Sequence, residues 1–225
     1  MRFLCWLVFS AAIAGAQIVP PQVGLILDSS RSIRQVFGFA GNLVVGDPIG
    51  DPVTTSTSVR WALDAAGQPV LLWSADDSRL LRWNGTAFDP LAIADGAVTG
   101  DVLSLTQTGD GVRFAIARQD GVWVVEVSAV DGSLISQTAL PGICAPVLLQ
   151  SSGELIYTDG TALVFRSVDG SERRVEMGIA MADLTPLGVD WIVASERASD
   201  PGISRQVAVR ILPGRERVSQ LPEIR

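Results

Sequence analysis

Four aspartates recur along the chain at nearly even steps: Asp77, Asp120, Asp159 and Asp200 are separated by 43, 39 and 41 residues. A carboxylate repeated at that period and brought to one face of a fold makes a ring of hard oxygen donors. Such a ring suits a cation or a polar ligand. The same residue type also suits tight turns, where Asp accepts neighbouring backbone N–H groups. The polar stretch "SERASDPGISRQ" at 195–206 adds Arg197 and Arg205 to Asp200. Its length predicts an exposed loop, where binding residues tend to sit. The six ligand-binding candidates are therefore Asp77, Asp120, Asp159, Asp200, Arg197 and Arg205. The segment "GDPIGDPV" at 46–53 offers Asp47 and Asp51 as oxygen donors for Ca²⁺. Their spacing matches no calcium loop, and the two prolines instead favour a stiff crossover between blades. No metal site is assigned.

Absences narrow the chemistry further. The chain has no His, and all 17 of its basic residues are Arg. Catalysis by a Ser-His-Asp or Cys-His pair is excluded within this chain. Without Lys, Schiff-base chemistry and the phosphate-binding P-loop are excluded as well. No catalytic residue and no cofactor are expected. Cys144, in the apolar setting "PGICAPVLL", predicts a buried, inert thiol. Trp73, Trp123 and Trp191 sit in apolar runs and predict core packing, whereas Trp61 and Trp83 adjoin Arg60 and Arg82. Asn84-Gly85-Thr86 has the form of a glycosylation acceptor but reads as turn chemistry.

The first 16 residues, "MRFLCWLVFSAAIAGA", place one Arg before an apolar run that ends in small residues. That order predicts a secretory leader cleaved after Ala16, with residues 17–225 forming one domain that is secreted or periplasmic. The apolar run is too short to span a bilayer, and no later segment supplies a span. The net charge is −7 and becomes one unit more negative when Arg2 leaves with the leader. An acidic surface argues against nucleic acid and anionic membranes and leaves cationic or neutral ligands open; the expected partner is a protein or a carbohydrate.

Any site must be positioned by the elements between these residues, and those read as strands. "VRFAIAR" at 112–118 alternates, and "VWVVEV" at 122–127 is almost wholly apolar. No segment after the leader shows a helical stripe. Two kinds of hairpin alternate. One turns near Gly67, Gly109, Gly153 and Gly188; the other turns near Ser30, Gly85, Gly132, Gly170 and Gly214. The second kind includes the near-copies "VDGS" at 130–133 and 168–171. Asp-Gly and Asn-Gly between apolar strands favour tight hairpins, because Gly and Asn tolerate positive φ. A lone four-stranded sheet cannot bury both of its apolar faces, whereas stacked sheets can.

A period near 40 with four strands per unit resembles the β-propeller repeat superfamily over nearly all of residues 23–225. The resemblance implies an all-β fold, a small propeller of about five four-stranded blades with the N-terminal one incomplete. The segment after the N-terminal hairpin is expected to add a strand. WD-repeat propellers keep a structural Asp at the turn that Asp77, Asp120, Asp159 and Asp200 occupy, bonded to a His this chain lacks. A β-sandwich and an open array are the alternative architectures. The resemblance and the poor catalytic inventory together imply an exported, non-catalytic binding or scaffold module. The competing functions are a carboxylate-based glycosidase-like enzyme and a surface assembly or adhesion protein that uses exposed strand edges.

Overall fold

The structure, a computed structural model, describes residues 22–27, 32–39, 42–49, 59–188, 190–196, 206–214 and 217–220. The leader, Asp51, Arg197, Asp200 and Arg205 lie outside the described residues. Every regular element described is a strand. Blade 1 holds β1 (Gln22–Leu27), β2 (Ile33–Phe39) and β3 (Asn42–Pro48). Blade 2 holds β4 (Val59–Leu63), β5 (Pro69–Ser74), β6 (Arg79–Trp83) and β7 (Phe88–Leu91). Blade 3 holds β8 (Asp101–Thr108), β9 (Gly111–Arg118), β10 (Gly121–Ser128) and β11 (Leu134–Leu140). Blade 4 holds β12 (Val147–Leu149), β13 (Leu155–Asp159), β14 (Ala162–Arg166) and β15 (Glu172–Glu176). Blade 5 holds β16 (Met181–Pro186), β17 (Trp191–Glu196), β18 (Gln206–Arg210) and β19 (Arg217–Gln220).

Each sheet is an antiparallel meander with its strands in chain order, four of them four-stranded and blade 1 three-stranded. The first strands of the complete blades touch in sequence: β4 with β8, β8 with β12, β12 with β16, and β16 with β4. These four strands close a cycle around a shared centre, and blade 1 joins the propeller by packing its Leu25 and Ile33 on blade 2, giving five blades in all. The third strand expected in the N-terminal unit is β3, which pairs along β2.

Alternation along each strand gives every inner sheet two apolar faces, and the clusters fall between sheets in turn. Leu25 and Ile33 of blade 1 pack on Trp61, Leu72 and Leu81 of blade 2. The other face of blade 2, with Leu71, Trp73 and Leu80, meets Leu105, Phe114 and Ile116 of blade 3. Ala115 and Val122 on the far side of blade 3 meet Val147, Tyr157 and Val164 of blade 4. Leu163 and Phe165 of blade 4 meet Leu184, Ile192 and Val209 of blade 5. Phe114 has no exposed surface, and the Trp73 ring stands edge-on to it at 5.6 Å. Full burial of one such side chain contributes about 1.5–3 kcal/mol, so each layer rests on a few large residues.

Polar contacts add to these layers. Arg82 of blade 2 donates to the Ala129 carbonyl of blade 3 at 3.3 Å, and Arg173 of blade 4 donates to the Ile211 carbonyl of blade 5 at 3.4 Å. Ala129 and Ile211 occupy equivalent places, directly after the third strand. Their own N–H groups donate to the backbone carbonyls of Asp110 and Asp190, which lie in equivalent first hairpins. Between blades 5 and 2, Arg60 pairs with Asp183 and the Trp61 indole donates to the Pro186 carbonyl at 3.2 Å.

Seven of the turn glycines, Gly67, Gly85, Gly109, Gly132, Gly153, Gly170 and Gly214, take the positive φ that their sequence context favours. Gly132 takes φ +70° and lies so close to the backbone of Ala92 and Ile93 that no Cβ would fit. Two expectations need correction or refinement. Cys144 is exposed, not buried. It lies in the crossover between β11 and β12, where Ile143 takes the buried position instead. Trp61 and Trp73 are buried, whereas Trp83, Trp123 and Trp191 are half-buried.

The cleft between blades 3 and 4

Residues directly opposite each other in an antiparallel pair share a face of the sheet. In blade 3 the pairing aligns Thr106, Arg113 and Glu126 in one row across β8, β9 and β10. In blade 4 it aligns Leu149, Leu155, Arg166 and Glu172 across β12 to β15. Toward the first-hairpin end of the interface between these blades lies a cleft of about 260 Å³. Arg113 and Thr106 line one wall, and Arg166 and Leu155 line the other. Val124, Leu140 and Leu149 add apolar surface, while Gln150 and Ser167 add hydrogen-bonding groups. Val168, from the "VDGS" turn, stands at the rim with 79% of its surface exposed.

Local bonds fix the rows. Arg113 donates through Nε to Glu126 Oε2 at 3.0 Å, and the Thr108 hydroxyl donates to Glu126 Oε1 at 3.0 Å. The Tyr157 hydroxyl donates to Glu172 Oε1 at 2.9 Å. Burial first, and the bond to Glu172 second, push the Tyr157 hydroxyl above its ordinary pKa. Between the two blades, the buried Ser104 hydroxyl accepts the Leu149 N–H at 3.0 Å.

Of the sequence-derived candidates, the described Asp77, Asp120 and Asp159 lie at the opposite ends of the strands, at or directly before the turns between second and third strands. Asp77 accepts the Ser74 hydroxyl at 3.1 Å. Asp120 accepts the Trp123 indole N–H at 3.0 Å, and Arg118 lies over that ring at 5.0 Å. Asp159 pairs with Arg174 at 2.7 Å, with both side chains largely exposed. Each of these contacts stays within one blade. Asp47 is exposed on β3, and among the described residues no three His, Cys, Asp or Glu converge as metal ligands. Asn84 acts as a turn acceptor, with its Oδ1 taking the N–H groups of Thr86 and Ala87 at 2.9 Å.

Arg113 and Arg166 are 53 positions apart and were not singled out from the sequence. The available signal was that each places a charge among apolar strand residues, Arg113 within "VRFAIA" and Arg166 after "ALVF". A half-buried charge there needs a partner or a polar opening.

Five antiparallel sheets standing about one centre define a small β-propeller, and the cleft is a gap between two of its blades. No family model matches the chain, and no curated protein matches it. Among solved structures it is similar to TolB from Acinetobacter baumannii, at 13% identity and a TM-score of 0.48, covering 88% of this chain and 51% of that one. The chain thus spans about half the length of that structure. It is also similar to the hydrazine synthase of Kuenenia stuttgartiensis, at 10% identity and a TM-score of 0.40, covering 94% of this chain and 69% of that one. A streptogramin B lyase structure matches at 11% identity and a TM-score of 0.39, covering 92% of this chain and 85% of that one. Among the described residues no helix is long and apolar enough to cross a membrane.

Proposed function

We propose that this chain is an exported, non-catalytic binding propeller that seats a ligand in the cleft between blades 3 and 4. The observation that carries the reading is the lining. Two arginines from facing sheets enter an otherwise largely apolar cleft, and none of its described lining residues is an acid, in a chain of net charge −7. A concave, mostly apolar site with a few convergent polar groups is the usual form of a ligand seat. Glu126 and Glu172, the carboxylates nearest the arginines in register, are engaged by Arg113, Thr108 and Tyr157. That engagement favours binding over acid–base chemistry. Asp77, Asp120 and Asp159 act in this reading as acceptors that fasten their own blades. Export rests on the leader pattern of residues 1–16.

The test is an NMR binding screen of the folded chain against peptides and oligosaccharides, read at the Gly153 and Gly170 amides on the cleft. A ligand that shifts these amides and loses affinity in Arg166→Gln supports the reading. Ligands that bind but shift only amides near Asp77, Asp120 and Asp159 would move the seat to the other end of the blades.

A further inference from the structure

Resting on the reading above, we infer that the cleft takes a carboxylate borne beside an apolar side chain, as at the C-terminal residue of a peptide. Three observations lead there. First, the arginines offer donors. Arg113 uses its Nε on Glu126 and makes no other hydrogen bond among the described residues; Arg166 makes none there. A guanidinium presents N–H groups in a planar fork that matches the two oxygens of a carboxylate. Two forks on opposite walls suit one anion between them.

Second, the surroundings set the charge. Glu126 sits against Arg113, and Glu172 is the cross-strand partner of Arg166. Each already accepts a side-chain hydrogen bond, from Thr108 and from Tyr157 respectively, so neither is an idle anion. Both acids stand behind the lining, so they temper the arginines' charge while the guanidinium groups still face the cleft. A singly charged carboxylate meets less repulsion from Glu126 and Glu172 than a phosphate carrying more negative charge would.

Third, the size and the walls select the rest of the ligand. The volume of about 260 Å³ falls below the usual range for a drug-sized ligand, so the cleft holds an end group rather than a whole molecule. Val124, Leu149 and Leu155 provide an apolar wall for one side chain, and Val168 at the rim meets whatever precedes it. A terminal apolar residue supplies both halves, the acid and the oily group, with the chain leading out past Val168.

The closing experiment titrates the full chain with short peptides ending in Leu, Val or Phe, each as free acid and as amide, and with octanoate as a free small acid. The Gly153 and Gly170 amides report occupancy. The expected result is that amidation weakens binding about tenfold or more, the scale of a lost charge-assisted pair. Arg166→Gln should abolish the preference for the acid, and Arg166→Lys should recover only part of it. Octanoate matching the peptides would keep the carboxylate chemistry and assign its source to free acids. Acid and amide binding equally, with the cleft amides still shifting, would overturn the carboxylate inference and leave the cleft as a seat. No shift of those amides with any of these acids or amides would overturn the carboxylate inference, and no shift with the oligosaccharides of the screen as well would overturn the seat.

Discussion

The guanidinium of Arg60 in β4 meets the carboxylate of Asp183 in β16 at 2.8 Å, tying blade 2 to blade 5. The pair is partly exposed, at 22% and 36%, so solvent screens it. Asp183→Asn and Arg60→Gln should each lower stability by about 0.5–1.5 kcal/mol, with a coupling of about 0.5–1 kcal/mol in the double-mutant cycle. Urea denaturation of the four proteins measures this. Strictly additive losses would mean that the two residues act independently and that the clasp contributes nothing.

Gly132 and Gly170 hold the same place in the two "VDGS" turns, with φ of +70° and +85°. A Cβ at Gly132 would collide with the backbone of Ala92 and Ile93, while one at Gly170 would meet open space. Gly170→Ala should therefore cost only the left-handed backbone penalty, about 1–2 kcal/mol. Gly132→Ala should cost more, about 2–4 kcal/mol, because backbone must move as well. Thermal midpoints should separate accordingly, and equal midpoints would remove the close approach from the account.

Asp131 and Asp169 have carboxyls held below 3.8, their ordinary value. The first cause in both is the backbone N–H of the Ser two residues on. Side-chain bonds follow, from Ser128 and Ser133 to Asp131 and from Ser171 to Asp169. A folded pKa that is lowered means stability fully present above the unfolded value and lost as pH falls through the folded one. Carboxyl NMR titration should place both midpoints below 3.8. Ser133→Ala and Ser171→Ala should raise them partway back, since the backbone bond remains. Midpoints indifferent to the hydroxyls would show that the main chain alone sets them.

Cys144 is exposed in the folded chain. Its thiol should react completely with a soluble disulfide reagent in native buffer, with no denaturant added. Reaction that requires urea would place it back in the interior.

The hairpins were legible in the sequence because Gly and Asp punctuate apolar runs, and positive φ at Gly67, Gly85, Gly109, Gly132, Gly153, Gly170 and Gly214 shows that chemistry at work. Stacking followed from strands too apolar for a single covered face, such as "VWVVEV". The cleft was not legible. It depends on which residues stand opposite one another, and a shift of one position in β14 would turn Arg166 to the other face. Cys144 misled because apolar composition decides burial within a strand but not in a crossover, where the path of the backbone chooses Ile143 over its neighbour.

The bolts from Arg82 to the Ala129 carbonyl and from Arg173 to the Ile211 carbonyl engage peptide oxygens rather than side chains. Every amino acid brings the same oxygen, so the receiving position is indifferent to what is encoded there. One acceptor is Ala and the other Ile, yet the fastening is alike. Modules joined in this way can drift apart in sequence while keeping their mutual angle, with one arginine at each of these two joints holding the pitch.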